Sequence, residues 1–133
     1  MALPISNLLK GLGRPFRVLA IETSCDDTAV CLLDSSRRIL SEVNLHQHSL
    51  HAQNGGIVPS LAASSHKLAL PGAIKQVLES SQLQIQDVDL IAATRGPGIA
   101  SCLTTGFEAG RLLSTVHRKP FYPIHHVVSL EPA

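Results

Sequence analysis

Aromatic residues are scarce in this chain of 133 residues. There is no tryptophan, one tyrosine and three phenylalanines, 3% aromatic in all. A core built from this composition has to be aliphatic. Cysteine is equally sparse: Cys25, Cys31 and Cys102 show neither disulfide nor metal-ligand spacing. Three cysteines without a secretory signal exclude a disulfide framework and favour reduced thiols in an intracellular compartment. No apolar run approaches the ~20 residues of a membrane-spanning helix. Charge of either sign is in short supply too, with 16% charged residues and a net charge of +1. Such a balance gives no general attraction to nucleic acid, so RNA binding would need a local patch. Arg95, Arg111, Arg118 and Lys119 are the candidates, and a solvated helix end explains them equally well. What remains, 44% hydrophobic residues, fits one soluble compact domain that buries roughly two-thirds of its unfolded surface.

The first acidic residue is Glu22. Residues 1–16 combine Lys10 and Arg14 with Leu3, Ile5, Leu8, Leu9 and Leu12, the marks of an organelle-targeting segment. Pro4 and the Gly11-Leu-Gly13 stretch interrupt that pattern, and a disordered tail is the alternative.

From Arg17 the pattern predicts strands at 17–22, 29–34 and 38–45, a long loop, a helix at 59–80, a strand at 88–94, a helix at 100–116 and a strand at 121–124. Arg37 and Arg38 follow Asp34-Ser-Ser36 in a tight turn between the second and third strands. The 59–80 helix carries Leu61, Leu68, Ile74, Val77 and Leu78 as its apolar positions, with Pro71 expected to interrupt or kink it. Three strands followed by alternating helix and strand imply an α/β fold. Its mixed sheet is an antiparallel meander extended by right-handed parallel crossovers.

Two segments concentrate polar chemistry. Glu22-Thr-Ser-Cys-Asp-Asp-Thr28 puts six polar side chains into seven positions between apolar strands. A solvated hairpin loop would use the same residue types, but hydroxyls and carboxylates at this density also suit phosphate oxygens or a cation with its waters. Arg95-Gly-Pro-Gly98 ends the 88–94 strand and opens a helix with small and apolar residues at Ile99, Leu103, Phe107, Gly110 and Leu113. A helix N-terminus beside a sheet edge suits anions, although such turns also serve simply as packing devices. Cys25 has no His or Asn placed beside it by sequence and is expected to be a small buried or half-buried residue rather than a nucleophile. His46, His48 and His51 have a spacing that permits a metal site, yet no local carboxylate or cysteine joins them, and a polar loop is expected. His66 reads either as a surface residue or as a contact across a cleft. His125 and His126 follow the strand Phe121-Tyr-Pro-Ile124, where C-terminal strand ends face a ligand crevice.

The segments IETSCDDT at 21–28, GGIVPSLAASSH at 55–66, RGPGIASCLTTGFEAGRLLS at 95–114 and the His125-His126 pair occur in an order and spacing that resembles the N-terminal half of a known family. It is the tRNA N6-adenosine threonylcarbamoyltransferase family, also called the glycoprotease family, and the mitochondrial branch is the most similar. The resemblance covers Arg17 to His126 and divides the chain into a candidate mitochondrial targeting segment at 1–16, a lobe at 17–126 and a divergent tail at 127–133.

For the fold, the resemblance implies the ribonuclease-H-like half of an actin, Hsp70 and sugar-kinase type of two-lobed architecture. For activity it implies an acyltransferase that moves a threonylcarbamoyl group from threonylcarbamoyl-AMP, made by a separate enzyme, to N6 of the adenosine 3′ of a tRNA anticodon. Location is expected to be mitochondrial, with cytoplasmic as the alternative. Partners implied are tRNA, the adenylate and a second copy of the chain, with no membrane. Residue by residue, Ser24, Cys25, Asp26 and Asp27 match the polar cleft floor, with Asp26 and Asp27 the catalytic candidates. Gly96, Pro97 and Gly98 match the second cleft turn, and His126 matches the first ligand of a catalytic iron or zinc. The ion would anchor the intermediate and polarise its acyl carbon. The family's second histidine falls at Leu130, which offers no donor atom; Glu131 is offset by about 100° on a helix. That departure, and the family's use of its second half for most ligand contacts, imply a truncated form that is inactive alone. A non-catalytic partner of a full-length copy is the alternative. A metallopeptidase is disfavoured, since the chain has no His-Glu-x-x-His motif.

Overall fold

The computed structural model describes residues 11–125. Five strands form one sheet in the order β3-β2-β1-β4-β5. They are β1 (Arg17–Glu22), β2 (Asp27–Asp34), β3 (Ile39–His46), β4 (Leu90–Gly96) and β5 (Phe121–His125). β1, β2 and β3 are an antiparallel meander, while β4 and β5 join in parallel. Among the described residues the helices are α1 (His48–Gln53), α2 (Pro59–Ser81) and α3 (Ala100–His117), with a 3-10 turn at Ile85–Asp87. The expected mixed α/β sheet is therefore present, with the strand expected at 88–94 running from Leu90 to Gly96.

Each strand's position follows from its side-chain pattern. β4 is central and covered on both faces, so Leu90 to Thr94 are all buried, as a continuous apolar run requires. β2 alternates strictly, with Thr28, Val30, Leu32 and Asp34 inside. β3 lies at the sheet edge and is mostly exposed. The core is aliphatic as the composition demanded, gathering Leu19, Ile21, Val30, Leu32, Leu70, Val77, Val88 and Ile91. Each such side chain, when fully buried, contributes about 1.5–3 kcal/mol. Phe107 and Phe121 pack edge to face at 5.0 Å and close the space between α3 and β5.

Three sequence expectations need correction. The long loop after β3 contains α1, which places His48 at its first turn and His51 within it. Pro71 does not end α2, which runs through it without a break. Both Pro71 and Lys67, whose carbonyl loses its partner, sit on the exposed side, where water replaces the missing N–H. The buried stripe of α2 is Ala62, His66, Leu70, Ala73 and Val77, whereas Leu68 is 84% exposed and Leu61 faces solvent. The small alanines allow α2 to lie close to the sheet and turn the leucines outward.

The β2–β3 turn is fixed by Asp34, whose Oδ1 accepts from the Ser36 hydroxyl and from the N–H groups of Ser36 and Arg38. These donors hold its carboxyl below the usual range, the Ser36 hydroxyl contributing most. Arg37 takes the left-handed conformation there, at φ 70°. Beside that turn Arg14 makes a two-pronged ion pair with Asp89, at 2.7 and 3.1 Å. Burial pushes the Asp89 carboxyl up, but Arg14 and the Arg17 N–H more than offset it, and the net shift is downward. Contacts with the lobe thus begin inside the 1–16 stretch read as a targeting segment, whose first ten residues lie outside the described ones. None of the helices is long and apolar enough to cross a membrane among the described residues.

Candidate functional site

The strand ends that carry the polar residues converge. β1 and β4 run in parallel, so Glu22 and Thr94 finish side by side. The Glu22 carboxylate joins them: Oε1 accepts from the Ser24 N–H at 2.6 Å and Oε2 from the Thr94 hydroxyl at 2.7 Å. Its charge is thus committed to backbone and hydroxyl donors at the base of the tip.

The tip then meets the Gly-Pro-Gly turn directly. Ile99 N–H donates to the Ser24 carbonyl at 2.7 Å. At Gly98 a Cβ would lie 2.5 Å from that carbonyl oxygen and 2.7 Å from Ser24 Cβ, so only glycine fits against the tip. The peptide between Gly96 and Pro97 is cis. One residue earlier, the Thr23 hydroxyl donates to the Cys102 carbonyl in the first turn of α3 at 2.7 Å. A Cβ on Gly106 would collide with the same hydroxyl. Two segments far apart in the sequence, Thr23 and Cys102 being 79 residues apart, therefore form one packed unit.

The third motif joins from α2. His66 is fully buried, with Nδ1 2.7 Å from the Thr28 hydroxyl and Nε2 2.8 Å from the Cys25 carbonyl. Sequence reading placed His66 on a surface or across a cleft; it lies inside. Pro59, which opens α2, stands near α3, with Ser101 Oγ 3.5 Å from its carbonyl oxygen. Both helix N-termini therefore open on the same end of the sheet, where their free N–H groups favour anions.

The proposed site residues occupy different layers of this unit. Ser24 is buried at the contact with Gly98, as are Thr23 and Thr28. Asp26 and Asp27 are half-buried at its rim, and Asp27 forms an ion pair with His46 at 3.0 Å. That carboxylate was not visible as a neighbour of His46, because the β2–β3 register brings the two together. Cys25 is exposed rather than buried or half-buried. Its carbonyl points to His66, which leaves the side chain outside. Such desolvation as it has, followed by the Asp26 carboxylate, pushes its thiol up, so the thiolate a nucleophile needs is disfavoured. Cys102 and Cys31 are also shifted up by burial, Cys31 to about 11.

β5 lies beside β4 with His125 opposite Gly96 and exposed, which brings His125 to the same end of the sheet. His126, Leu130 and the 127–133 tail lie outside the described residues. Among the described residues no three His, Cys, Asp or Glu side chains come together to hold a metal ion. His51 instead bonds the Gln47 side chain at 2.7 Å. The described residues thus do not by themselves make a metal site. The basic patch also divides. Arg95 and Arg111 line one cavity of about 420 Å³ with Phe107, Glu108 and Pro123, while Lys119 bonds the Gln86 carbonyl at the opposite end of α3.

A family model described as tRNA N6-adenosine threonylcarbamoyltransferase matches residues 38–131. The chain belongs to that family. It is 45% identical to the tRNA N6-adenosine threonylcarbamoyltransferase of Granulibacter bethesdensis over 85% of its own length and 30% of that protein. With the Nostoc protein of the same name it is 44% identical over 83% of its length and 32% of the relative. The chain therefore spans about a third of the curated relatives it matches. Among solved structures it is similar to YeaZ from Pseudomonas aeruginosa, with a TM-score of 0.60 and 20% identity over 83% of this chain and 43% of that one. That likeness supports the ribonuclease-H-like lobe of the actin and sugar-kinase type of fold.

The close approaches at two glycines predict a selective response to alanine. Gly98→Ala and Gly106→Ala should each destabilise the chain by about 1–3 kcal/mol in urea unfolding, the scale of forced overpacking. Gly72→Ala, where no atom lies within 4 Å of the added Cβ, should stabilise by about 0.5–1 kcal/mol. Equal effects at all three positions would contradict the packing described.

Proposed function

We propose that this chain supplies the nucleotide-facing floor of a threonylcarbamoyl transfer site acting on tRNA. The observation that carries the reading is the convergence of three family motifs, the 22–28 tip, the Gly96-Pro97-Gly98 turn and the start of α2, at one end of the sheet. In the reaction, N6 of an adenosine attacks the carbamoyl carbon of threonylcarbamoyl-AMP. The bond from that carbon to the phosphate oxygen breaks, AMP leaves with the electron pair, and N6 gives up a proton.

The exocyclic amine is a weak nucleophile, so orientation is the main service such a site offers, worth up to about 7–11 kcal/mol of a barrier. In this reading the backbone N–H groups at the start of α3 face the phosphate, and Asp26 and Asp27 at the rim are the candidate proton acceptors. Arg95 and Arg111, which share one cavity beside the turn, face the tRNA backbone. An iron or zinc ion, part of the family expectation, would polarise the acyl carbon and would draw on His126 and on residues beyond those described.

The 133-residue chain on its own is proposed to be inactive, because it spans about 30% of its relatives and its described residues gather no metal-binding set. A second reading, a non-catalytic partner of a full-length copy, is favoured by Leu68, Leu112 and Val116, which are 84%, 65% and 63% exposed on the outer helices.

A segment exchange tests the function. Residues 17–125 placed into the Granulibacter bethesdensis relative should give a chimera that forms modified adenosine when supplied with tRNA and the adenylate. The isolated chain should give none. A folded chimera without transfer would refute the equivalence of the lobe, and transfer by the isolated chain near the relative's rate would refute its inactivity.

We also place the protein in mitochondria, on the acid-free, basic and apolar composition of its first sixteen residues. A fluorescent reporter carrying residues 1–20 should reach mitochondria and lose that address when Lys10 and Arg14 become Glu. Uniform cytosolic fluorescence of the unchanged fusion would contradict the assignment.

A further inference from the structure

His66 breaks an otherwise apolar stripe on α2. Its neighbours on the buried face, Ala62, Leu70, Ala73 and Val77, anchor the helix on the sheet. An imidazole in such a place costs stability unless both ring nitrogens are satisfied, and here both are. Nε2 lies 2.8 Å from the Cys25 carbonyl, which accepts and cannot donate, so this nitrogen carries the proton. In the neutral ring Nδ1 is then the acceptor, taking the Thr28 hydroxyl proton at 2.7 Å. The ring therefore ties three elements in one direction: β2 donates to α2, and α2 donates to the tip between β1 and β2.

Cys25 sits between Ser24, which touches Gly98, and Asp26, at the rim. Its exposed side chain adds little restraint, so the tip at this residue is held through its carbonyl. We propose that His66, as the Nε2–H tautomer, is a positioning residue for the site: it holds the Cys25 carbonyl and thereby sets where Ser24 and the Asp26 and Asp27 carboxylates stand. The proposal rests on the reading of the 22–28 tip as the cleft floor, and its test uses no transfer assay, so the two fail separately. The helix transmits position from the core to the tip through the imidazole.

Two isosteric substitutions separate positioning from filling space. Glutamine places its amide N–H near the Nε2 position and keeps the bond to Cys25. Asparagine reaches only the Nδ1 position, keeps the Thr28 contact and loses Cys25. In the full 133-residue chain labelled with ¹⁵N and ¹³C, wild-type Nε2 should resonate as a protonated imidazole nitrogen and Nδ1 as an unprotonated one. His66→Gln should leave the Cys25 carbonyl shift and the Ser24 amide exchange near wild type. His66→Asn should shift that carbonyl and speed Ser24 exchange about tenfold, the scale of one lost hydrogen bond, with the β4 amides still protected. Equal loosening in both variants would reduce His66 to packing, and unchanged tips in both would show that it holds nothing. Should both variants fail to fold, a proton found on Nδ1 of the wild-type ring would still overturn the proposal.

Discussion

The site depends on one close backbone contact, between the Ser24 carbonyl and the Gly98–Ile99 segment. Ile99 N–H reaches that carbonyl at 2.7 Å only because Gly98 has no Cβ to hold the two apart. Around this contact most polar groups of the tip are turned inward on a partner. Glu22 holds Ser24 and Thr94, Thr23 holds Cys102, and Thr28 and the Cys25 carbonyl share His66. A tip so crowded with hydroxyls and carboxylates would be mobile in water. Bonded this way, it is a fixed surface from which Asp26 and Asp27 emerge.

That division of labour changes how the polar cluster is understood. Six polar residues in seven positions look like six ligands, yet most of them build the loop rather than face a substrate. Glu22 and Thr23 are structural in this sense, and the half-buried aspartates stand at the rim. Sheet topology produces the arrangement. The parallel pairing of β1 with β4 and of β4 with β5 brings Glu22, Gly96 and His125 to the same end, at the C-terminal ends of the strands. The motifs that the chain shares with the tRNA N6-adenosine threonylcarbamoyltransferase family gather at that end.

Most strands were legible because their burial follows simple rules. The strict alternation of β2 and the unbroken apolar run of β4 state one-sided and two-sided burial directly. α1 was missed because its six residues, His48-Ser-Leu-His-Ala-Gln53, carry too short a pattern to show a period. The buried face of α2 was read in part: Val77 is buried, and Ile74 and Leu78 pack against the core. Leu61 and Leu68 face solvent, while Ala62, His66, Leu70 and Ala73 complete the stripe. The signal for His66 was present in the spacing 62, 66, 70, 73 and 77, which places it on the face of Ala62 and Val77. The polar motifs announced that a site exists. Their mutual contacts required the fold, since nothing local in Ser24 or His46 names Gly98 or Asp27 as its neighbour.

Hydrogen exchange at one amide tests the central claim most directly. Ile99 belongs to a loop by sequence and precedes the helix, so a free turn would leave its N–H open to solvent at the rate of other exposed loops. If the Gly-Pro-Gly turn is locked on the tip, that amide should exchange as slowly as the buried β1 and β4 amides, and should lose its protection together with Ser24 rather than with the end of α3. Fast exchange at Ile99 in a chain whose β4 amides are protected would mean that the two motifs do not form one unit, and the account of the site would fall with it.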